Sequence, residues 1–228
     1  MTASSGKKLG RSGSGPRPLS EIAERIVLAA RAHFFAHGFR NVTMDDLASE
    51  LGMSKKTLYA QFPSKTDLLR AVLLAKFHSV ETDLDAVMAS CDKDASAALH
   101  QLLACMQRHT QEIQPPFVRD MRREAPELFQ LVEERRRDLI QRYFGQIFDQ
   151  GRRAGIIRKD ISSELIVEIM LGAVQAVMNP PKIEQLGLAP QIGYGAIISV
   201  ILDGVMTERG RSKSTPWSWR SRAGVRAR

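Results

Sequence analysis

The sequence predicts an all-α fold in two parts, a small N-terminal head built around a helix-turn-helix and a longer helical body. Three observations predict it. Apolar residues recur at spacings of three and four from about Leu19 to Met206, with hardly any alternating β-branched runs. Two segments of eight residues or fewer, about 44–51 and 55–61, flank Gly52-Met53-Ser54, and helices that short hold only by packing on neighbours. The remainder divides at Pro and Gly into longer helices, and 228 residues with 43% hydrophobic content can supply a core.

The first helix, about 20–37, sets Ile22, Ile26, Ala30, His33 and Phe34 on one stripe, and Gly38 is its left-handed stop. Phe39 then returns the chain to the core. Thr43 and Asp46 form a variant capping box that opens the second helix, and Gly52 closes it. Ser54 caps the third. Pro63 forces a break, after which Ser64 and Asp67 open a long helix over about 65–90. Further helices are expected at about 94–113, 116–124, 126–154, 162–178 and 190–208. Their starts are marked by Pro115-Pro116, Pro126 and Ser162, and their stops by Gly155 and Asn179-Pro180-Pro181.

The net charge of +8 is unevenly spread. Lys7, Lys8, Arg11 and Arg17 lie before residue 21 with no acid among them, and seven more basic residues, again with no acid, fall in 209–228. The 22 basic and 25 acidic residues between these tails give −3. Both tails are rich in Ser, Gly or Pro and are expected to be disordered, Trp217 and Trp219 included. Net charge therefore says little about partners, and the local arrangement of a few cations has to carry that argument.

Cys91 and Cys105 match neither a disulfide framework nor a zinc spacing and read as small core residues of a reduced, cytoplasmic protein. The N-terminus lacks the apolar run of a secretory signal, and the apolar stretches around 165–178 and 192–206 fall short of a membrane span. No Gly-rich phosphate loop, nucleophile motif or paired carboxylate site suggests an enzyme, and no cofactor is expected. His33 and His37 stand four apart on one helix but have no acid or Cys at zinc-site spacing, so no metal site is expected.

Chemistry concentrates on the third helix. Leu47, Ala48, Leu51, Met53, Leu58 and Phe62 supply an inward face, which leaves Lys55, Lys56, Thr57, Tyr59, Ala60 and Gln61 facing out. Lysines meet phosphates or guanine, Thr57 and Gln61 offer hydrogen bonds to base edges, and Tyr59 can donate to a phosphate oxygen. The small Ala60 permits close approach. Residues 25–69 resemble the DNA-binding region of the TetR family in Arg25-Ile26, Phe34, Gly38-Phe39, Thr43, Leu47-Ala48, Gly52-Met53-Ser54, Thr57-Leu58-Tyr59, Phe62 and Lys65.

That resemblance implies a DNA-binding head over 19–66 and an effector-binding, dimerising helical domain over 67–208, between basic tails at 1–18 and 209–228. It also implies phosphate contacts from Thr43, Lys55, Tyr59 and Lys65, with Ser54 at the same surface, and base contacts from Lys56, Thr57 and Gln61. Where relatives often carry His, this chain has Gln61, so its half-site preference is expected to differ. The expected partners are a palindromic double-stranded operator, a second copy of the chain and a small, largely apolar effector that releases a repressor from DNA. A ligand-independent regulator or an activator with the same head is the alternative.

For the dimer, Gly172, Ala173 and Ala176 on one late helix and Gly193, Ala196, Ile197, Val200 and Gly204 on the last mix small and apolar residues suited to a four-helix interface. For the effector pocket, the bulky or adaptable candidates are Phe77, Met106, His109, Phe117, Met121, Phe144, Phe148 and Met170. Gln175 is either their polar anchor or a contact across the dimer.

Overall fold

The computed structural model describes residues 19–90, 95–179, 182, 185–187 and 190–213. Both tails' expected disorder, apart from 209–213, and Cys91, Trp217 and Trp219 lie outside the described residues. In chain order the helices are α1 (Glu21–His37), α2 (Met44–Glu50), α3 (Lys55–Gln61), α4 (Lys65–Ser90) and α5 (Ala95–Gln111). They continue with α6 (Pro115–Glu124), α7 (Pro126–Arg153), α8 (Ser163–Val177), α9 (Pro190–Val205) and α10 (Glu208–Lys213). The fold is all-α, and the described residues contain only one isolated bridge, Ile157 with Met206.

That bridge corrects the expected 190–208 helix. The Arg158 N–H donates to the Val205 carbonyl at 2.9 Å and the Thr207 N–H to the Ile156 carbonyl at 3.0 Å. Main chain paired sideways in this way cannot continue a helix, so α9 ends at Val205 and a new helix, α10, starts at Glu208 and runs into the segment assigned to the C-terminal tail. Thr207 caps it, its Oγ1 accepting from the Gly210 N–H at 3.1 Å.

Two apolar cores result. The head core takes Ala23, Ile26, Val27, Ala30, Phe34 and Phe35 from α1, Leu47 and Ala48 from α2, and Leu58 from α3. Ile22, expected on the α1 stripe, is 43% exposed, and Ala23 faces inward from that turn instead. Each fully buried aliphatic or aromatic side chain contributes about 1.5–3 kcal/mol. The body core gathers α5, α7 and α8 around Tyr143, Phe144 and Phe148.

No flexible linker separates these cores. Leu68, Leu69, Val72 and Leu73 of α4 lie in the head core, while Leu84 of the same helix lies in the body core. Further on, α6 sends Phe117 and Met121 into the head core, where Phe117 meets Phe35 edge-on at 4.8 Å.

A polar seam runs where α1, α4 and α5 meet. Arg31 of α1 grips Glu112 with two bonds, Nε to Oε2 at 3.0 Å and an amino group to Oε1 at 2.7 Å. Lys76 of α4, only 6% exposed, bonds the same carboxylate and reaches His109 Nδ1 at 2.9 Å. Burial pushes the Lys76 ammonium below its ordinary range despite Glu112. Burial also pushes the Glu112 carboxyl up, but the bonds from Arg31 and Lys76 outweigh it and hold the group below its usual value.

Candidate nucleic-acid interface

Local chemistry fixes how α3 is presented. Thr43 closes the first turn of α2 with a reciprocal box: its Oγ1 accepts from the Asp46 N–H at 3.1 Å, and Asp46 Oδ2 accepts from the Thr43 N–H at 3.3 Å. The side-chain bond from Thr43 and then the backbone bond hold the Asp46 carboxyl below its ordinary value. Gly52 turns the chain at φ +62°, a conformation that side-chain-bearing residues avoid. Ser54 Oγ then accepts from the Thr57 N–H at 3.1 Å and starts α3.

With Leu58 fully buried and Phe62 nearly so, the opposite face of α3 is outward. Lys55, Lys56, Tyr59, Ala60 and Gln61 are exposed, as is Ser54, whereas Thr57 is half-buried beside the Ser54 hydroxyl. Lys55 makes an exposed ion pair with Asp45 at 2.5 Å. Pairs of this kind contribute little, so the ammonium can exchange Asp45 for a phosphate at small cost. The Gln61 side-chain oxygen accepts from the Ser20 hydroxyl at 3.0 Å. The sequence reading missed Ser20. Its N-capping of α1 was legible, but its contact 41 positions away was not.

Lys65 sits at the start of α4, half-buried, with Nζ 4.4 Å from the Phe39 ring centre and donating to the Arg40 carbonyl at 3.3 Å. Burial lowers its pKa, and Asp120 and Glu124 act against that shift. Asp120 comes from α6. It is 7% exposed, and its Oδ2 accepts from the Arg40 N–H at 3.1 Å. Gly38 allows this approach, because at φ +89° any Cβ would lie 2.5 Å from that carboxylate oxygen. The turn between α1 and α2, and Lys65 beside it, thus rest on a residue of the body that sequence spacing gave no reason to single out.

The residues proposed for an effector pocket are divided. Phe144, Phe148 and Met170 lie in the body core with Phe77 and Met106 against it, whereas Phe117 and Met121 belong to the head core. His109 lies in the polar seam between Lys76 and Asp83, and Gln175 is exposed. His33 of α1 pairs with Glu50 at 2.5 Å.

A family model described as bacterial regulatory proteins, tetR family, matches residues 26–72. The HTH-type transcriptional regulator SrpR of Pseudomonas putida is 35% identical over 63 residues, 28% of this chain and 30% of that protein. The chain therefore matches under a third of that relative's length. A transcriptional regulator from Cytophaga hutchinsonii superposes with a TM-score of 0.64 at 21% identity, covering 82% of this chain and 100% of that one. One from Saccharomonospora viridis, solved in complex with choline, gives 0.62 at 21% identity over 82% and 99%. These two structures establish likeness of fold, while the shared residues in the family match are those of the α1–α4 head.

Proposed function

We propose that this chain is a TetR-family DNA-binding transcriptional regulator, as the match of its α1–α4 head supports, and that it acts as a homodimeric repressor released from a palindromic operator by a small, largely apolar ligand. The observation that carries the reading is the outward face of α3, held by the Ser54 cap and presenting Lys55, Lys56, Tyr59 and Gln61. On this reading Thr43, Ser54, Lys55, Tyr59 and Lys65 position the head on phosphates, and Lys56, Thr57 and Gln61 read bases.

A dimer is supported by an unpartnered apolar stripe. Leu165 and Ile169 of α8 are 53% and 51% exposed, Val200 of α9 is 73% exposed, and the exposed Gly172, Ala176 and Gly204 continue the surface. Gln175 stands on α8 beside this stripe, which favours its role as a contact across the dimer over that of a pocket anchor. Two heads must then match half-sites ~34–36 Å apart. A ligand wedged near Phe77, Met106, Phe144, Phe148 and Met170 would press on α4, whose first turn carries Lys65, and tilt the head out of register. The choline in the Saccharomonospora viridis regulator is consistent with a small-molecule site in such a body.

Anisotropy titration against duplexes recovered by selection from random sequence, at several salt concentrations, tests the orientation of the head. Tyr59→Ala and Lys65→Ala should weaken every duplex alike and flatten the salt slope. Gln61→Ala should relax preference at one base position. Folded variants with unchanged affinity and unchanged sequence preference would overturn the reading.

A further inference from the structure

We propose that Asp83, Cys105 and His109 form a binding site for a borderline divalent cation, Zn²⁺ by the chemistry of the donors, whose occupation is felt by the head. Cys105 and His109 are four apart on α5 and so share a face, and Asp83 approaches from α4. One donor atom from each, a thiol sulfur, an imidazole nitrogen and a carboxylate oxygen, all lie within 4.8 Å of one another. Tetrahedral zinc, with bonds of about 2.0–2.3 Å, needs donors roughly 3.3–3.8 Å apart, so small rotations of side chains close the site. The mixture of S, N and O donors selects zinc-like cations over Mg²⁺ or Ca²⁺.

Burial is graded across the three. Cys105 is fully buried, the His109 side chain is 13% exposed and that of Asp83 is 49% exposed. A cation can enter past Asp83 and keep water in its fourth position. The imidazole is already oriented on both nitrogens, with Nδ1 2.9 Å from Lys76 Nζ and Nε2 2.9 Å from Asp83 Oδ2. An ammonium only donates, so Nδ1 accepts and Nε2 carries the ring proton toward Asp83.

A cation bound at Nε2 displaces that proton to Nδ1, and the Cys105 thiol releases its own proton to solvent. The Nδ1–H then faces another donor, so the bond to Lys76 is lost and Lys76 is left to Glu112, the carboxylate that holds Arg31 of α1. Arg31 and Lys76 balance Glu112 and Asp83, so the occupied site carries one net positive charge. That makes a weaker site than a closed four-ligand one, suited to a reversible signal.

The link to the head rests on the regulator reading, but the site itself does not, and full-length protein with Co²⁺ as probe separates them. Stoichiometric Co²⁺ should give a thiolate charge-transfer band in the near ultraviolet that Zn²⁺ bleaches. Cys91→Ser should keep the band, and Cys105→Ser and His109→Ala should lose it. Asp83→Ala, at an exposed position, should weaken Co²⁺ binding without disturbing the core. Zn²⁺ should change duplex affinity by about fivefold or more, the low end of ordinary coupling, in wild type and not in Cys105→Ser. No band, or a band that depends on Cys91, overturns the site. A band with unchanged duplex affinity overturns the link to the head. A chain that binds no duplex in any metal state overturns the regulator reading and leaves the site standing.

Discussion

In the head, α2 and α3 are seven residues each, and each opens on a side chain that closes its first turn, Thr43 or Ser54. In the body, α7 is 28 residues long and opens on Pro126 with no side-chain cap at all. A seven-residue helix cannot nucleate itself, so its caps and its Gly52 turn set its direction. A 28-residue helix is held by what it buries, here Tyr143, Phe144, Ile147 and Phe148 along one face. The outward face of α3 is therefore positioned locally, and a change of packing in the body need not redefine it. What the body can change is where the head sits, through α4 and α6.

The hardest test of this division is to cut a large side chain from each core. Phe34 and Phe148 are both fully buried, one in the head and one in the body. Each Phe→Ala change should cost about 3–5 kcal/mol. Because α4 and α6 thread the head core from the body, both variants should still unfold in one calorimetric transition at a lower midpoint. Two separated transitions in Phe34→Ala would mean that the head melts alone and that the shared helices do not couple the cores.

A smaller effect is expected where α6 touches the head. Removing the carboxylate in Asp120→Ala takes from the part-buried Arg40 N–H its 3.1 Å charged acceptor, and a hydrogen bond to a charged group is worth about 1.5–3 kcal/mol. Asp120→Asn keeps an acceptor oxygen and should recover part of it. Denaturant midpoints check both. Equal losses in the two variants would assign the role of Asp120 to charge rather than to the hydrogen bond.

The same division explains what could be read from the sequence. Caps at Thr43, Ser54 and Ser162 and the positive-φ glycines Gly38, Gly52 and Gly155 are local, so their residue types alone marked the helix ends that the structure shows, although Gly38, at ψ 157°, is extended and not the left-handed helical stop expected. The end of α9 was misplaced because Met206 and Thr207 pair with residues some 50 positions earlier. Phe117 and Met121 have the helical spacing of body residues, and periodicity reports that a side chain is buried without saying in which core. Arg31 with Glu112, Arg40 with Asp120, and Asp83 with Cys105 and His109 are joined only by tertiary packing. In the last set Cys105 and His109 have helical i,i+4 spacing, but the third donor, Asp83, lies 22 positions before Cys105 on another helix, which no ligand pattern in the sequence reveals.

Local control predicts a modest and separable effect at the α2 cap. Thr43→Ala removes the Oγ1 that accepts from the Asp46 N–H and also the hydroxyl bond to Asp46 Oδ2 at 2.6 Å. The expected cost is about 1 kcal/mol. The urea midpoint should fall with an unchanged slope, and Thr43→Ser should restore most of it. A changed slope would place the effect on the unfolded chain or on a second transition instead of on the cap.

The smallest expected effect is a pH dependence lodged in the seam between the two regions. His109 is pushed below the ordinary histidine value, first by burial and then by the Lys76 ammonium, against the pull of Asp83 and Glu112. Arg108 and Cys105 are the other groups near this end of the seam. A folded-state pKa below the unfolded one means that the unfolded chain takes up the proton more readily. The stabilising contribution of neutral His109 is therefore complete above about pH 6.5 and is lost as pH falls from there through the lowered folded value. The Glu112 and Asp46 carboxyls, also lowered on folding, lose their contributions only further down, below about pH 4.5. In buffer containing a chelator, the melting midpoint of wild type should fall more between pH 7.5 and 5.5 than that of His109→Gln, whose amide stays neutral at both. A constant difference between the two proteins across that interval would remove His109 as the titrating group and leave the seam's acid sensitivity to its carboxylates.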